Sequence, residues 1–379
     1  MPPLGSETTR TNPEESPTMT RPRIQFFLPG PTYVLPDVRE AMVADVVGHR
    51  SPAFKSLYES MVPRLQAVLR TRGDVLVATG SATLVMESAV VSTVESRVLN
   101  LVCGAFSERW HQICHSLGKQ ADRVSVPWGQ AVDPDLVREA LRRQRYEAVT
   151  LVHNETSTGV INPLETIARV VREESEALLL VDTVSSMAGA PIETDEWGLD
   201  VVLASVQKAM AAPPGLTVFS FSDKAAERAA RLENRGFYTD FLRYRDKHRS
   251  GGTITTPAVP VFYALDRQLD NIVSEGMEAR WRRHAELQEQ TARWIESRGM
   301  DWGSDSGSRS PTISCLRAPA GRSAPAIVEG LARLGFTVGG GYGKWKPETF
   351  RIGHMGEVRR EDLEGLLEAL ETVLEADER

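Results

Sequence analysis

From Val75 onward short apolar runs alternate with amphipathic stretches, and this rhythm constrains the fold more than any other feature of the chain. Runs at Val75–Thr79, Val98–Val102, Arg123–Val126, Ala148–Val152, Ala177–Asp182, Val201–Ala204 and Leu216–Phe221 have strand length and composition. Between them, Ala82–Val94, Ser107–Leu117, Pro134–Arg143 and Pro163–Glu173 show helical spacing, several opened by Pro or a capping Ser, Thr or Asp. Strand and helix in turn predict an α/β fold with one wide, mainly parallel sheet of seven strands.

With 379 residues the chain exceeds one simple core. The texture changes beyond Pro260, so a large unit over 23–265 with an N-terminal arm and a smaller C-terminal α/β unit over 266–379 are expected. The smaller unit begins with a long charged helix, Asp266 to Ser297, whose Arg280-Trp281-Arg282-Arg283-His284 run reads as a solvated face. Strand Pro311–Leu316, helix Ala324–Leu334, strands near Thr337 and at Phe350–Gly353, and helix Glu361–Glu375 follow. Residues 1–22, rich in Pro, Thr, Ser and Glu, predict a disordered tail, with Met19 as an alternative start.

A net charge of −7 gives no electrostatic reason to expect nucleic acid or an anionic membrane as partner. Three cysteines without CxxC spacing imply neither a disulfide framework nor a zinc site, and no metal is expected. No apolar run approaches the roughly 18 residues that span a bilayer, and no secretory h-region is present. A cytoplasmic protein is the expectation.

The chemistry lies where strands end. Asp182 closes an apolar run, and 26 residues later Lys208 stands in Ser205-Val206-Gln207-Lys208-Ala209-Met210, just past the next run. An isolated lysine is ordinary surface. Together, a strand-end carboxylate that keeps a pyridine nitrogen protonated and an amine that forms a Schiff base are what a pyridoxal phosphate enzyme requires. Thr79-Gly80-Ser81-Ala82-Thr83 joins a strand to a helix, where free N–H groups and the dipole end favour an anion. Phe106 follows another strand and could stack on a ring, and His153-Asn154-Glu155-Thr156-Ser157-Thr158-Gly159 places hydroxyls and an acid at a third strand end.

These motifs, with Leu28-Pro29-Gly30-Pro31-Thr32, Gly48-His49-Arg50-Ser51-Pro52 and Phe350-Arg351-Ile352-Gly353-His354-Met355-Gly356, occur in one order. The ordered set, from about Phe26 to Leu374, resembles the class V pyridoxal phosphate aminotransferases of fold type I, particularly the alanine-glyoxylate, serine-glyoxylate and serine-pyruvate group. The resemblance implies that Lys208 forms the Schiff base and Asp182 pairs with the ring nitrogen. It implies a phosphate cradle from Ser81, the Ala82 and Thr83 backbone and Gln207, with Phe106 in the place of a stacking aromatic that is often Trp. Ser157 resembles the residue near the phenolic oxygen, Thr256 one that reaches the neighbouring subunit's phosphate, and Arg351 the arginine that binds the substrate carboxylate. Thr253 stands where some relatives have a tyrosine. A homodimer with active sites at the subunit interface follows from the same resemblance, with Gly30 and the His49-Arg50-Ser51 segment lining the substrate entrance.

The implied reaction moves an amino group from a small amino acid of the serine or alanine class to a small 2-oxo acid such as glyoxylate or pyruvate, by a ping-pong route. One alternative is a donor with a second anionic group, phosphoserine or aspartate, motivated by Lys344-Trp345-Lys346 and Arg243-Tyr244-Arg245. Another is a lyase of the cysteine desulfurase type, for which Cys315 lies in an apparent strand where a nucleophile on a mobile loop would be needed.

Overall fold

The computed structural model describes Arg21 and residues 23–376. Apart from Arg21, the tail expected over 1–22, and with it the alternative start at Met19, lies outside the described residues. Seven strands form the larger sheet in the order Val75–Thr79, Leu216–Phe221, Val201–Ser205, Leu178–Asp182, Ala148–Val152, Arg97–Val102, Gln120–Ser125. Leu216–Phe221 pairs antiparallel with both of its neighbours, and the remaining pairings are parallel.

Strand period 2 sends alternate residues to opposite faces. Val77, Leu99, Leu101, Leu151, Val181 and Val202 enter one apolar cluster, and Leu76, Val98, Ala148, Leu180, Leu203 and Phe219 enter another. Burial on both faces explains why the central strands read as continuous apolar runs. The edge strand Gln120–Ser125 is polar and partly exposed, and it begins three residues before the expected start at Arg123 and ends one before Val126.

A second sheet has the order Phe26–Phe27, Thr337–Gly340, Thr349–Gly353, Ile313–Arg317. The N-terminal arm supplies its edge, with Phe26 opposite Thr337 and Phe27 opposite Val338. Ile24, Phe27, Leu287, Leu316, Phe350, Ile352 and Leu366 share its core.

The helix expected over 266–297 is two helices, Val259–Glu275 and Met277–Ser297. Gly276 separates them with φ +82, a left-handed conformation that glycine adopts without the Cβ clash other residues meet. The first helix starts earlier than expected because Pro260 lies in its first turn, where the missing N–H has no intrahelical partner to lose. The solvated face expected for 280–284 is corrected too: Arg280 and His284 are fully buried, Arg283 is largely buried, and Arg282 is exposed. Charge count alone concealed this, since burial depends on partners supplied from Glu275 and Glu357.

Candidate active site

Ser205 ends a strand and the chain turns at once, so Lys208 emerges at the carboxyl edge of the larger sheet. Thr32 holds the turn: its N–H donates to the Gln207 carbonyl at 2.9 Å, and its hydroxyl donates to the Lys208 carbonyl at 2.9 Å. The lysine side chain crosses Gly30 closely. A Cβ built there would lie 2.3 Å from Cδ and 2.7 Å from Nζ, so residue 30 must be small. Nζ donates to the Pro29 carbonyl. Burial, then the nearby Arg351 charge, brings the amine down to about 8, where a neutral fraction exists near physiological pH.

Asp182 closes the Leu178–Asp182 strand and is 5% exposed. Its Oδ1 accepts from the Val184 N–H at 2.7 Å, and it has no ion-pair partner among the described residues. Burial raises this carboxyl to about 7, with Glu155 adding to the effect and the Val184 bond opposing it.

Ser81 caps helix Ala82–Thr93 without using its hydroxyl, which leaves that exposed group available beside the first-turn amides. Ala82 N–H donates to Ser205 Oγ at 3.0 Å, tying the helix start to the strand that leads to Lys208. Thr83 and Gln207 are half-buried nearby in the chain, at the same helix start and beside Lys208. Thr256 is exposed and makes no hydrogen bond to the others; two residues on, Ala258 N–H donates to Thr79 Oγ1 at 3.2 Å.

Phe106 stands in the first turn of helix Ala105–Ser116, its ring centroid 5.3 Å from that of Tyr342 and the Arg109 guanidinium 4.8 Å above it. Ser157 is fully buried in the turn between short strands Asn154–Glu155 and Val160–Ile161. Its hydroxyl donates to Glu155 Oε1 at 2.6 Å and accepts from Ala105 N–H at 3.0 Å. Glu155 also accepts from the N–H groups of Phe106, Ser107 and Ser157, so a buried carboxylate sets the Phe106 turn. Sequence reasoning singled out the acid-and-hydroxyl loop but missed this task; it missed Arg109 and Tyr342 as site residues, and it named Pro29 and Thr32 within a motif without giving either a task.

Arg351, 8% exposed, lies in strand Thr349–Gly353. Its Nε donates to the Gly340 carbonyl at 2.9 Å and Nη1 to the Thr156 carbonyl at 3.1 Å, with the Tyr342 ring 5.4 Å away. No carboxylate pairs with it among the described residues. Three of the four charges behind the second-anion alternative are engaged otherwise: Arg245 with Asp74 and Asp223, Arg243 with Asp240, and Lys344 over the Trp128 ring at 4.9 Å, while Lys346 is exposed. Cys315, opposite Arg351 in the sheet, is buried and its thiol is raised to about 11, which leaves no thiolate for a desulfurase. His49, Arg50 and Ser51 line a surface cavity of about 460 Å3 with Gly251, Thr253 and Thr255.

The arrangement fits pyridoxal phosphate. A buried carboxylate with one backbone donor and no cation suits a protonated pyridine nitrogen, the open helix start suits a phosphate, and the amine lies within the electrostatic reach of both Asp182 and Arg351.

The family model described as aminotransferase class V matches residues 69–323. An uncharacterised aminotransferase of Methanocaldococcus jannaschii is 36% identical over 92% of each chain. A serine–glyoxylate aminotransferase of Methylorubrum extorquens is 31% identical over 93% of this chain and 91% of its own. Among solved structures, alanine–glyoxylate aminotransferase from Nostoc sp. superposes with a TM-score of 0.88 at 32% identity, covering 95% of this chain and 97% of that one.

Proposed function

Because the chain belongs to the class V aminotransferases and is a pyridoxal phosphate-dependent transaminase, we propose that it carries an amino group from a small amino acid of the serine or alanine class to a small 2-oxo acid such as glyoxylate or pyruvate. The observation that carries this reading is Arg351, a buried guanidinium with no acid beside it and close enough to depress Lys208. A buried cation is costly unless paired, so the site is completed by a carboxylate brought by substrate. Relatives named serine–glyoxylate and alanine–glyoxylate aminotransferases support small partners on both sides of the exchange.

In this reading Ser81, the Thr83 N–H and Gln207 hold the cofactor phosphate, while the Ala82 N–H expected beside them is engaged by Ser205 Oγ and fixes the helix start instead; Phe106 stacks on the cofactor ring, and Ser157 approaches its phenolic oxygen. Asp182 keeps the ring nitrogen protonated. When bound, the cofactor supplies an aldehyde that condenses with amines and a ring that accepts the electrons of the Cα–H bond. Arg351 orients the amino acid through its carboxylate, and Gly30 leaves room for the lysine to swing. Lys208, its amine partly neutral, would take the α-proton from Cα and deliver it to the carbon that the cofactor's aldehyde supplies, two bonds away. Departure of the first 2-oxo acid before the second binds makes the kinetics ping-pong.

The reading extends to a cytoplasmic homodimer in which Thr256 serves the partner's phosphate site. Support comes from the exposure of Thr256, the adjoining His49–Thr255 cavity, and the absence among the described residues of any helix long and apolar enough to cross a membrane. It also treats 23–265 as the cofactor-holding unit and 266–379 as a smaller one.

The test is a half-reaction screen that follows loss of the cofactor's visible band across amino acids and its return across glyoxylate, pyruvate and 2-oxoglutarate. Serine or alanine with glyoxylate or pyruvate should react fastest. A response confined to acidic donors, or a coloured, active Lys208→Ala variant, would sink the reading.

A further inference from the structure

Arg280, Arg283 and His284 of the basic run at the start of helix Met277–Ser297 face inward, toward both functional loops, while Arg282 faces solvent. Arg280 and His284, one turn apart on the same helix face, are fully buried. Arg280 Nη1 lies 2.7 Å from Glu275 and 2.9 Å from Glu357, while Nη2 donates at 2.8 Å to the carbonyl of Ala209, the residue after Lys208. Three acceptors from three segments thus meet one planar guanidinium, a geometry that an ammonium cannot reproduce.

His284 completes the connection. Its Nδ1 is 2.7 Å from the Arg280 carbonyl, which can only accept, so Nδ1 carries the proton and Nε2 accepts from the Gly356 N–H at 3.0 Å. Burial, reinforced by the charges of Arg283 and Arg280, holds the imidazole neutral. Gly356 ends the segment leaving the Arg351 strand and packs directly on the lysine turn: a Cβ there would lie 3.0 Å from Ala211 Cβ and 3.6 Å from the Lys208 carbonyl.

We propose that Arg280 and His284 are positioning residues that fix the spacing between Lys208 and Arg351, Arg280 through the Ala209 carbonyl and His284 through the Gly356 amide. The inference rests on the proposed roles of Lys208 and Arg351. Neither residue touches substrate. Arg280 therefore governs proton transfer, read in kcat, whereas His284 governs carboxylate binding, read in KM.

The experiment combines steady-state kinetics of the holoenzyme with amide hydrogen exchange of the cofactor-free protein over 206–212 and 353–357. Arg280→Lys should lower kcat by about 10- to 100-fold with KM within about twofold, as expected for a displaced reacting group, and should speed exchange in 206–212. His284→Gln should raise KM for the amino donor by about fivefold or more at similar kcat, with faster exchange in 353–357. Arg359→Met removes a guanidinium that contacts Glu275 at 2.9 Å and the Glu357 side chain at 3.6 Å but neither the Ala209 carbonyl nor the Gly356 amide, and kcat should stay within about twofold even if Tm falls. Glu357→Gln, which leaves Arg280 one full carboxylate, substitutes for Arg280→Lys if that variant does not fold, with the same kinetic expectation. Unchanged exchange over 206–212 in the Arg280 variant overturns the positioning role whatever the substrate proves to be. Faster exchange with unaltered kcat separates the lysine assignment from the contact and overturns the coupling to catalysis, as does an equal loss of kcat in Arg359→Met.

Discussion

Asp182→Asn should make the cofactor-free protein more stable at neutral pH while disabling the enzyme. The carboxyl is carried from its ordinary 3.8 to about 7, with burial the largest cause. At 1.36 kcal/mol for each tenfold change in proton affinity, that amounts to about 4 kcal/mol of preference for the neutral form. Between about pH 4 and 7 the folded protein holds a proton that the unfolded chain has released, so stability falls as pH climbs through this window. Asparagine keeps an oxygen for the Val184 N–H and has no proton to lose. The variant's advantage over the parent should therefore grow by about 2–4 kcal/mol from pH 4.5 to pH 7.5, equivalent to about 3–5 °C in Tm for a chain of this length. Comparing the two pH values cancels the fixed cost of seating the amide, and both lie below about 8, where Lys208 titrates. Thermal unfolding of the apo forms at the two pH values measures the difference. Under the role proposed for Asp182, loss of the partner of the ring nitrogen should meanwhile lower kcat by about 10²-fold or more. A Tm difference that stays flat or narrows with rising pH would refute the claim that Asp182 is held in the apo site at a cost that a cationic ring relieves.

Three further outcomes follow from the same geometry. Gly30→Ala places a methyl 2.3 Å from the Lys208 side chain at a backbone φ of +110, so cofactor absorbance and kcat should both fall by about tenfold or more with the fold retained; a coloured, fully active variant would contradict the packing. Arg351→Lys loses the fork that holds the Gly340 and Thr156 carbonyls while presenting a planar face to carboxylate, and KM for the amino donor should rise by about 10- to 100-fold; substrate-concentration series read this directly. Glu155→Gln replaces an acceptor of three backbone N–H groups by an amide with a single oxygen, which should destabilise the protein by about 2–3 kcal/mol and weaken cofactor binding through Phe106; calorimetry and cofactor titration together decide it, and an unchanged Tm would count against it.

The strands of the larger sheet are legible because both faces are buried and local composition reports that directly. Gln120–Ser125 is the exception at one end: an edge strand has a wet side, so its first residues carry no apolar signal. The placement of Asp182 and Lys208 at the sheet edge is readable because each sits one turn or less from a strand end, where the sequence itself supplies the geometry. Glu155 was not, since its partners at 106 and 107 are almost fifty residues away and are backbone amides, which leave no trace in side-chain pattern. Nor was the pairing of Phe26 with Thr337, a contact across three hundred residues set by a two-residue strand. In the charged helix, periodicity alone could not tell a wet arginine from a dry one. That distinction depends on Glu357, supplied from a remote segment, and on the break at Gly276 that sets the direction of the second helix.

Charge satisfaction separates Arg280 from Arg351 and Asp182 more sharply than burial does. Arg280 is deeper than Arg351, yet it meets two carboxylates and a carbonyl, so its charge is balanced within the chain. Arg351 meets two neutral carbonyls, and Asp182 meets one amide; neither has an ion-pair partner among the described residues. Such charges persist in a low-dielectric setting only if a ligand of opposite sign completes them. The missing partners are then a carboxylate at Arg351 and a cation at Asp182. Under the proposed roles, an amino acid brings the first and a protonated pyridine ring the second, and Lys208 is the amine that both fields act upon. A 2-oxo acid satisfies Arg351 as well as an amino acid does. Under the proposed role the same unpaired guanidinium serves both halves of the exchange, so each substrate can also occupy the enzyme form meant for the other, and mutual inhibition at high concentration should appear, as ping-pong order permits.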